Sequence, residues 1–99
     1  MTEDRRDEER IPANLLAKWD GLSGHAEARI EDISLGGCFV NTKGQVQLGE
    51  IVSLDVKLQS GEWLRLRGEV VSYQPGIGFG VVFSFLTGEE ELALKRLIH

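Results

Sequence analysis

What most restricts this chain is a two-residue repeat of apolar and polar positions that recurs along most of its length. Leu15, Ala17 and Trp19 alternate with Asn14, Leu16 and Lys18, and Ala26, Ala28 and Ile30 alternate with His25, Glu27, Arg29 and Glu31. The same pattern runs through Val52, Leu54, Val56 and Leu58, through Leu64, Leu66, Gly68 and Val70, and through Ile77, Phe79, Val81, Phe83 and Phe85. Successive side chains of a strand point to opposite faces, so this period predicts half-buried β-strands, each with one face on a core. Gly21-Leu22-Ser23-Gly24, Asn41-Thr42-Lys43-Gly44, Gln59-Ser60-Gly61 and Gln74-Pro75-Gly76 supply the turns between them. Gly78 and Gly80, lying inside the last and most apolar strand, predict bending or close packing there.

The repeat stops at Thr87-Gly88-Glu89-Glu90, which reads as a capping box opening a helix over 87–98. Glu89, Glu90 and Glu91 suit the positive end of a helix dipole, and Lys95 and Arg96 suit the other end. Ala93, Leu94, Leu97 and Ile98 form an apolar side that needs a surface to bury it. A sheet of about six short antiparallel strands closed into a barrel, plugged or flanked by this helix, removes exposed strand edges and gives the helix its partner. The predicted class is therefore all-β with a C-terminal helix, a six-stranded antiparallel β-barrel. At 99 residues the chain has material for a single modest core. The expected organisation is a flexible N-terminal segment over 1–12 followed by one barrel domain over 11–99. The segment is expected to be flexible because Met1 to Arg10 is dense in charge and nearly devoid of apolar residues. Pro12 then stiffens the junction with the body.

Within the alternation one interruption stands apart. The second strand delivers Asp32 and Ser34, two residues apart and expected to point the same way. Gly36 and Gly37 follow, where missing Cβ atoms permit positive φ or let another group approach the bare backbone. Cys38-Phe39-Val40 then resumes as a strand. Taken alone, this is ordinary turn chemistry, since Asp and Ser bond their own backbone and Gly-Gly punctuates loops. Upstream, however, Arg6 and Arg10 stand four residues apart just before the first strand. The pair Arg6-x-x-x-Arg10 followed by Asp32-x-Ser34-x-x-Gly37 resembles the paired signature of PilZ domains, receptors for the bacterial second messenger cyclic di-GMP. The resemblance extends through the glycine-punctuated strands and the final helix, and PilZ domains have a split barrel of the predicted kind.

The resemblance implies that the arginine segment and the Asp-x-Ser corner close on the nucleotide from two sides. The implied ligand-binding residues are Arg5, Arg6, Arg10, Asp32, Ser34, Gly36 and Gly37. Their chemistry suits the ligand: a guanidinium offers paired donors to phosphate oxygens or to guanine O6 and N7, and its flat face stacks on a base. A carboxylate accepts from guanine N1 and N2, and a hydroxyl beside it donates or accepts. A further arginine at the place of Arg5 is associated in this family with an intercalated pair of ligands, so two cyclic di-GMP molecules per chain are expected. Asp7, Glu8 and Glu9, enclosed by Arg6 and Arg10, compete for the same guanidiniums. Some PilZ-like domains act instead as ligand-independent protein adaptors, with the binding residues missing; here none is missing.

Composition narrows the remaining classes. Lys+Arg 11 against Asp+Glu 16 gives a net charge of −5, which disfavours DNA or RNA, whose binding draws on a basic, counterion-releasing surface. A small anionic ligand needs only a local group of arginines. Cys38, the one cysteine, reads as a small buried hydrophobe. His25 and His99 lack metal-ligand spacing, and no nucleophile–base pair gives catalysis a home, so neither metal, cofactor nor enzymatic activity is expected. No leader and no long apolar run is visible, from which a cytoplasmic location without membrane insertion is expected. Trp63, Arg65 and Arg67 make an aromatic-basic stripe, read as barrel exterior with arginine stems covering apolar surface.

Overall fold

The computed structural model of the protein describes residues 10–98. Six strands appear in chain order: β1 (Ile11–Gly21), β2 (Gly24–Ile33), β3 (Gly37–Asn41), β4 (Ile51–Lys57), β5 (Trp63–Gln74) and β6 (Gly78–Phe83), followed by helix α1 (Gly88–Ile98). All neighbours are antiparallel, and the sheet closes as β1-β2-β3-β6-β5-β4 with β4 returning to β1. The six-stranded barrel and the C-terminal helix are thus as expected. Closure pairs β1 with β4 over Ala17–Asp20 and Ser53–Val56, covering there the two edges that an open sheet would expose.

The alternation places Ala17, Trp19, Ile30, Val52, Leu54, Val56, Leu66, Val70, Phe79 and Val81 inside. Trp19 and Phe79 meet edge to face with ring centres 5.4 Å apart, and Trp19 Nε1 donates to Thr42 Oγ1 at 3.2 Å. The single polar atom of the largest core side chain is thereby satisfied without water. Leu94 is fully buried, and α1 lies against β5, flanking the barrel with Leu97 and Ile98 packed on the core. Thr87 Oγ1 accepts from the Glu90 amide at 3.1 Å, while Glu90 Oε1 accepts from the Thr87 amide at 3.0 Å, the reciprocal cap expected from the sequence.

Three local expectations need correction. The first strand begins at Ile11, so Pro12 belongs to the strand rather than to a junction before it. Pro12 is tolerated because the β1–β2 register shifts between Pro12 and Leu15, and a bulge near the strand start does not require its missing N–H. The apolar face of β6 is shorter than the pattern suggests: Phe79 and Val81 are buried, but Ile77 is 50% and Phe85 83% exposed. Ile77 lies in the turn closed by its amide on the Gln74 carbonyl at 2.9 Å, and Phe85 lies past the strand end. The turn expected at Asn41-Thr42-Lys43-Gly44 extends into a loop over 42–50, with Val46 alone of its hydrophobics buried.

Glu50 ties that loop to the β1–β2 hairpin, accepting from Ser23 N at 2.8 Å, Ser23 Oγ at 2.7 Å and Gln47 N at 3.0 Å. Desolvation pushes its carboxyl up, but the bonds from Ser23 and Gln47 outweigh it and hold the pKa below its ordinary 4.5. A depressed carboxyl stabilises the fold fully above its unfolded pKa and ceases to do so as pH falls through its folded pKa. Glu50→Gln is therefore expected to melt below the wild type at neutral pH. That gap should close as the pH is lowered through and below about 4.5, which melting curves across pH 2.5–7 would read.

Candidate functional site

The polar corner is made at one end of the barrel, where β1 begins, β2 ends, β3 begins and β6 ends. Its geometry starts from a bulge in β2. Against β3, Ile30 pairs with Val40 but Asp32 with Phe39, so β2 carries an extra residue, Glu31. One extra residue reverses the parity of every side chain beyond it. Ile33 therefore turns into the core, and Asp32, which unbroken alternation from Ala26, Ala28 and Ile30 would bury, stays at the surface.

Ser34 does not accompany it. Ser34 is 3% exposed and its hydroxyl is used within the turn, where Ser34 Oγ accepts from Gly36 N at 3.1 Å and Gly37 N at 3.2 Å. Ser34 N also donates to Gly37 O at 2.8 Å. The expectation of a carboxylate and hydroxyl presented side by side is thus corrected: Asp32 faces out, and Ser34 builds the turn that holds the Gly36-Gly37 backbone. Replacing Ser34 with Ala strips two amides of their acceptor, one of them buried, and is expected to cost about 1–3 kcal/mol. Urea unfolding of the variant checks this.

Of the two uses expected for the glycines, positive φ is adopted by neither, and close approach to bare backbone is the one seen, at Gly37. At Gly37 a Cβ would stand 2.1 Å from the Val81 carbonyl oxygen of β6, so the crowding group is the barrel's own backbone. At Gly36, which is exposed, the nearest atom to a Cβ would be Ser34 Oγ at 3.8 Å. Gly37 is thus needed to seat β3 on β6, while Gly36 offers bare backbone to whatever lies outside.

Arg10 is brought to Asp32 by register. Pro12 pairs with Asp32, and Arg10, two residues upstream on the same face, becomes its diagonal neighbour. Arg10 Nη1 donates to Asp32 Oδ1 at 2.7 Å, with side chains 44% and 36% exposed. A pair this open to water contributes only about 0–1 kcal/mol, so either partner can be exchanged for a better one. Beneath it lies Cys38, paired with Ile33 and fully buried. Burial pushes its thiol up to about 12, with Arg10 lowering and Asp32 raising it, so it is a core side chain rather than a nucleophile. Arg5 and Arg6 lie outside the described residues.

Elsewhere, Arg65 forms a two-pronged pair with Asp55 at 2.7 and 2.8 Å, and Lys18 and Lys57 lie 5.2 and 5.7 Å from the centre of the Trp63 ring. The stripe is barrel exterior, as read from the sequence. Among the described residues no group of three metal-ligating side chains comes together, and no helix is long and apolar enough to cross a membrane. A feature the sequence reading missed is the contact of Arg67 Nη2 with the Phe85 carbonyl at 3.0 Å, just past the end of β6. Its signal was weak, because Phe85 extends the apolar alternation and so resembles a core residue.

The family model of the PilZ domain matches residues 4–99. Among solved structures, the PilZ domain of CeSA from a cellulose-synthesising bacterium is similar, with TM-score 0.72 and 23% identity over 91% of this chain and 94% of that one. The Bacillus subtilis inhibitor of motility MotI/DgrA matches with TM-score 0.68 and 19% identity, over 90% of this chain and 47% of that one. At these identities the likeness of structures speaks for the fold. No curated protein sequence matches the chain.

Proposed function

The chain belongs to the PilZ domain family, and from that membership we propose that it is a receptor domain for cyclic di-GMP whose site is the Arg10–Asp32 corner. The observation that carries this reading is the ion pair itself. A guanidinium and a carboxylate, 2.7 Å apart and open to solvent, stand at the same end of the barrel as the exposed Gly36 backbone. In the free protein each satisfies the other. On binding, Arg10 exchanges Asp32 for a phosphodiester or a guanine edge, gaining paired charge-assisted bonds, and Asp32 accepts from guanine N1 and N2. Ser34 acts indirectly, by holding the turn that presents Gly36, and Gly37 by seating that turn on β6.

Arg6 completes the arginine pair, and Arg5 offsets the charge of a second ligand, since two stacked molecules bring four phosphodiesters together. Binding orders the N-terminal segment against the corner and so presents an altered surface to a protein partner. The reading is of a binding domain, not an enzyme, in the cytoplasm. The two fold relatives come from different settings, a cellulose-synthesising bacterium and an inhibitor of motility, so the barrel does not by itself fix the output.

Calorimetry tests this with cyclic di-GMP beside cyclic di-AMP and GMP. Saturable binding is expected that prefers cyclic di-GMP, reaches two ligands per chain, and falls to one in Arg5→Ala. Absent binding, or indifference to the base, overturns the receptor reading. It would favour a second one, a ligand-independent adaptor, which draws support from the same observation: Arg10 and Asp32 already satisfy each other without a nucleotide.

A further inference from the structure

Phe85 has no part in the reading above, yet its setting is unusual. It is 83% exposed, and its φ of 55° makes it the single non-glycine residue with positive φ among those described. That region is natural to glycine or asparagine, and a bulky residue there is an outlier that persists where its surroundings fix it. Here they do: Ser84 N donates to Arg67 O at 2.8 Å, and Arg67 Nη2 donates to the Phe85 carbonyl at 3.0 Å. The backbone asks for a glycine, and solvent gives a phenyl ring nothing. What remains to explain the residue is a contact made by its ring.

The neighbourhood indicates which contact. Val82 pairs with Gly37, and Phe83 N donates to Gly36 O at 2.8 Å, so the end of β6 is fastened to the turn of the candidate site. Two residues further along, the Phe85 Cα is within about 7 Å of that of Phe83, and the side chain reaches beyond. Phe85 therefore stands at the same end of the barrel as the Gly36 backbone and the Arg10–Asp32 pair, the end at which a ligand carrying two purine bases would lie. We propose that Phe85 is a stacking platform for one base of the nucleotide bound at the Asp32–Gly37 corner. This rests on the cyclic di-GMP reading. The ring supplies an aromatic face, which none of Arg10, Asp32, Ser34, Gly36 and Gly37 provides, and the left-handed backbone goes with its exposure to solvent. Stacking tolerates any base, so Phe85 adds affinity while Asp32 supplies guanine preference.

The test is calorimetry with cyclic di-GMP on the whole chain and on Phe85→Ala, Phe85→Gly and Phe85→Trp. Loss of a stacked base is expected to weaken binding by about tenfold or more in the first two. Phe85→Trp should bind within a few-fold of the wild type, and its added tryptophan emission should change on titration, beyond any change from Trp19 and Trp63. Phe85→Gly adopts positive φ without strain, so it should melt no lower than the wild type while binding more weakly. Wild-type binding with unchanged affinity in Phe85→Ala, or with silent emission in Phe85→Trp, overturns the proposal and leaves the receptor reading standing. A wild type that binds no cyclic di-GMP overturns both.

Discussion

Replacing Arg10 with alanine is expected to weaken cyclic di-GMP binding by roughly 1–3 kcal/mol, the range for one well-placed paired contact, while barely moving the melting temperature. The two halves of that expectation have different sources. In the free protein Arg10 makes one exposed ion pair, worth about 0–1 kcal/mol, so the fold loses little. In the complex the same guanidinium offers parallel donors to the ligand, and nothing else among the described residues replaces them. Asp32→Ala should cost a similar amount with a different signature. Its loss frees Arg10 for a phosphate but removes the acceptor for guanine N1 and N2, so the preference for cyclic di-GMP over cyclic di-AMP should shrink. Arg10→Ala should instead reduce the salt dependence of binding, as expected when a phosphate loses its cation. Titrations of both variants with both dinucleotides at two salt concentrations separate the roles. Wild-type affinity in Arg10→Ala would remove the ion pair from the binding site.

The largest effect on stability is expected at Gly37. A Cβ there would sit 2.1 Å from Val81 O, and its next neighbours are the Val81 carbonyl carbon and Val82 Cα, so no flexible side chain can yield. The alternative is to part β3 from β6 along the pairings of Gly37 with Val82 and Cys38 with Val81. Overpacking against rigid backbone sits at the upper end of the usual cost, about 3 kcal/mol or more for Gly37→Ala. For a domain of this size that lowers the melting temperature by roughly 10 °C or more. Gly36→Ala meets only Ser34 Oγ at ordinary contact distance and should stay within about 0.5 kcal/mol of the wild type. Adjacent residues of one type are thus expected to behave oppositely in a melting experiment. Similar stability of the two variants would contradict the close approach of β6.

Much of this molecule could be read from its sequence because the relevant physics is local. Alternation along Val52–Val56 and Leu64–Val70 fixes which side of a strand is wet, whatever the strand pairs with. Pro75-Gly76 supplies the fixed φ and the positive φ of 79° that a tight turn needs, and Thr87 with Glu90 supplies a cap within one helical turn. Arg10 and Asp32 were also legible, each as a member of one of two spaced motifs, although their meeting as an ion pair depends on Pro12 lying opposite Asp32.

Other features exist only once strands distant in sequence are paired. The bulge at Glu31 carries no compositional mark, yet it decides that Asp32 faces outward and Ile33 inward. Gly37 and Gly36 are identical letters, and only the seating of β6 on β3 makes one indispensable to packing and leaves the other open. Ser34 looked like a partner to Asp32 until the turn closed around its hydroxyl. Phe85 continues the apolar period of β6, but Arg67, from the neighbouring strand, holds its carbonyl past the strand end while its ring stays in solvent. A two-residue period is a property of one strand, whereas register, close approach and the place where a strand stops are properties of pairs, and the pairs β3–β6 and β1–β4 form only when the barrel closes.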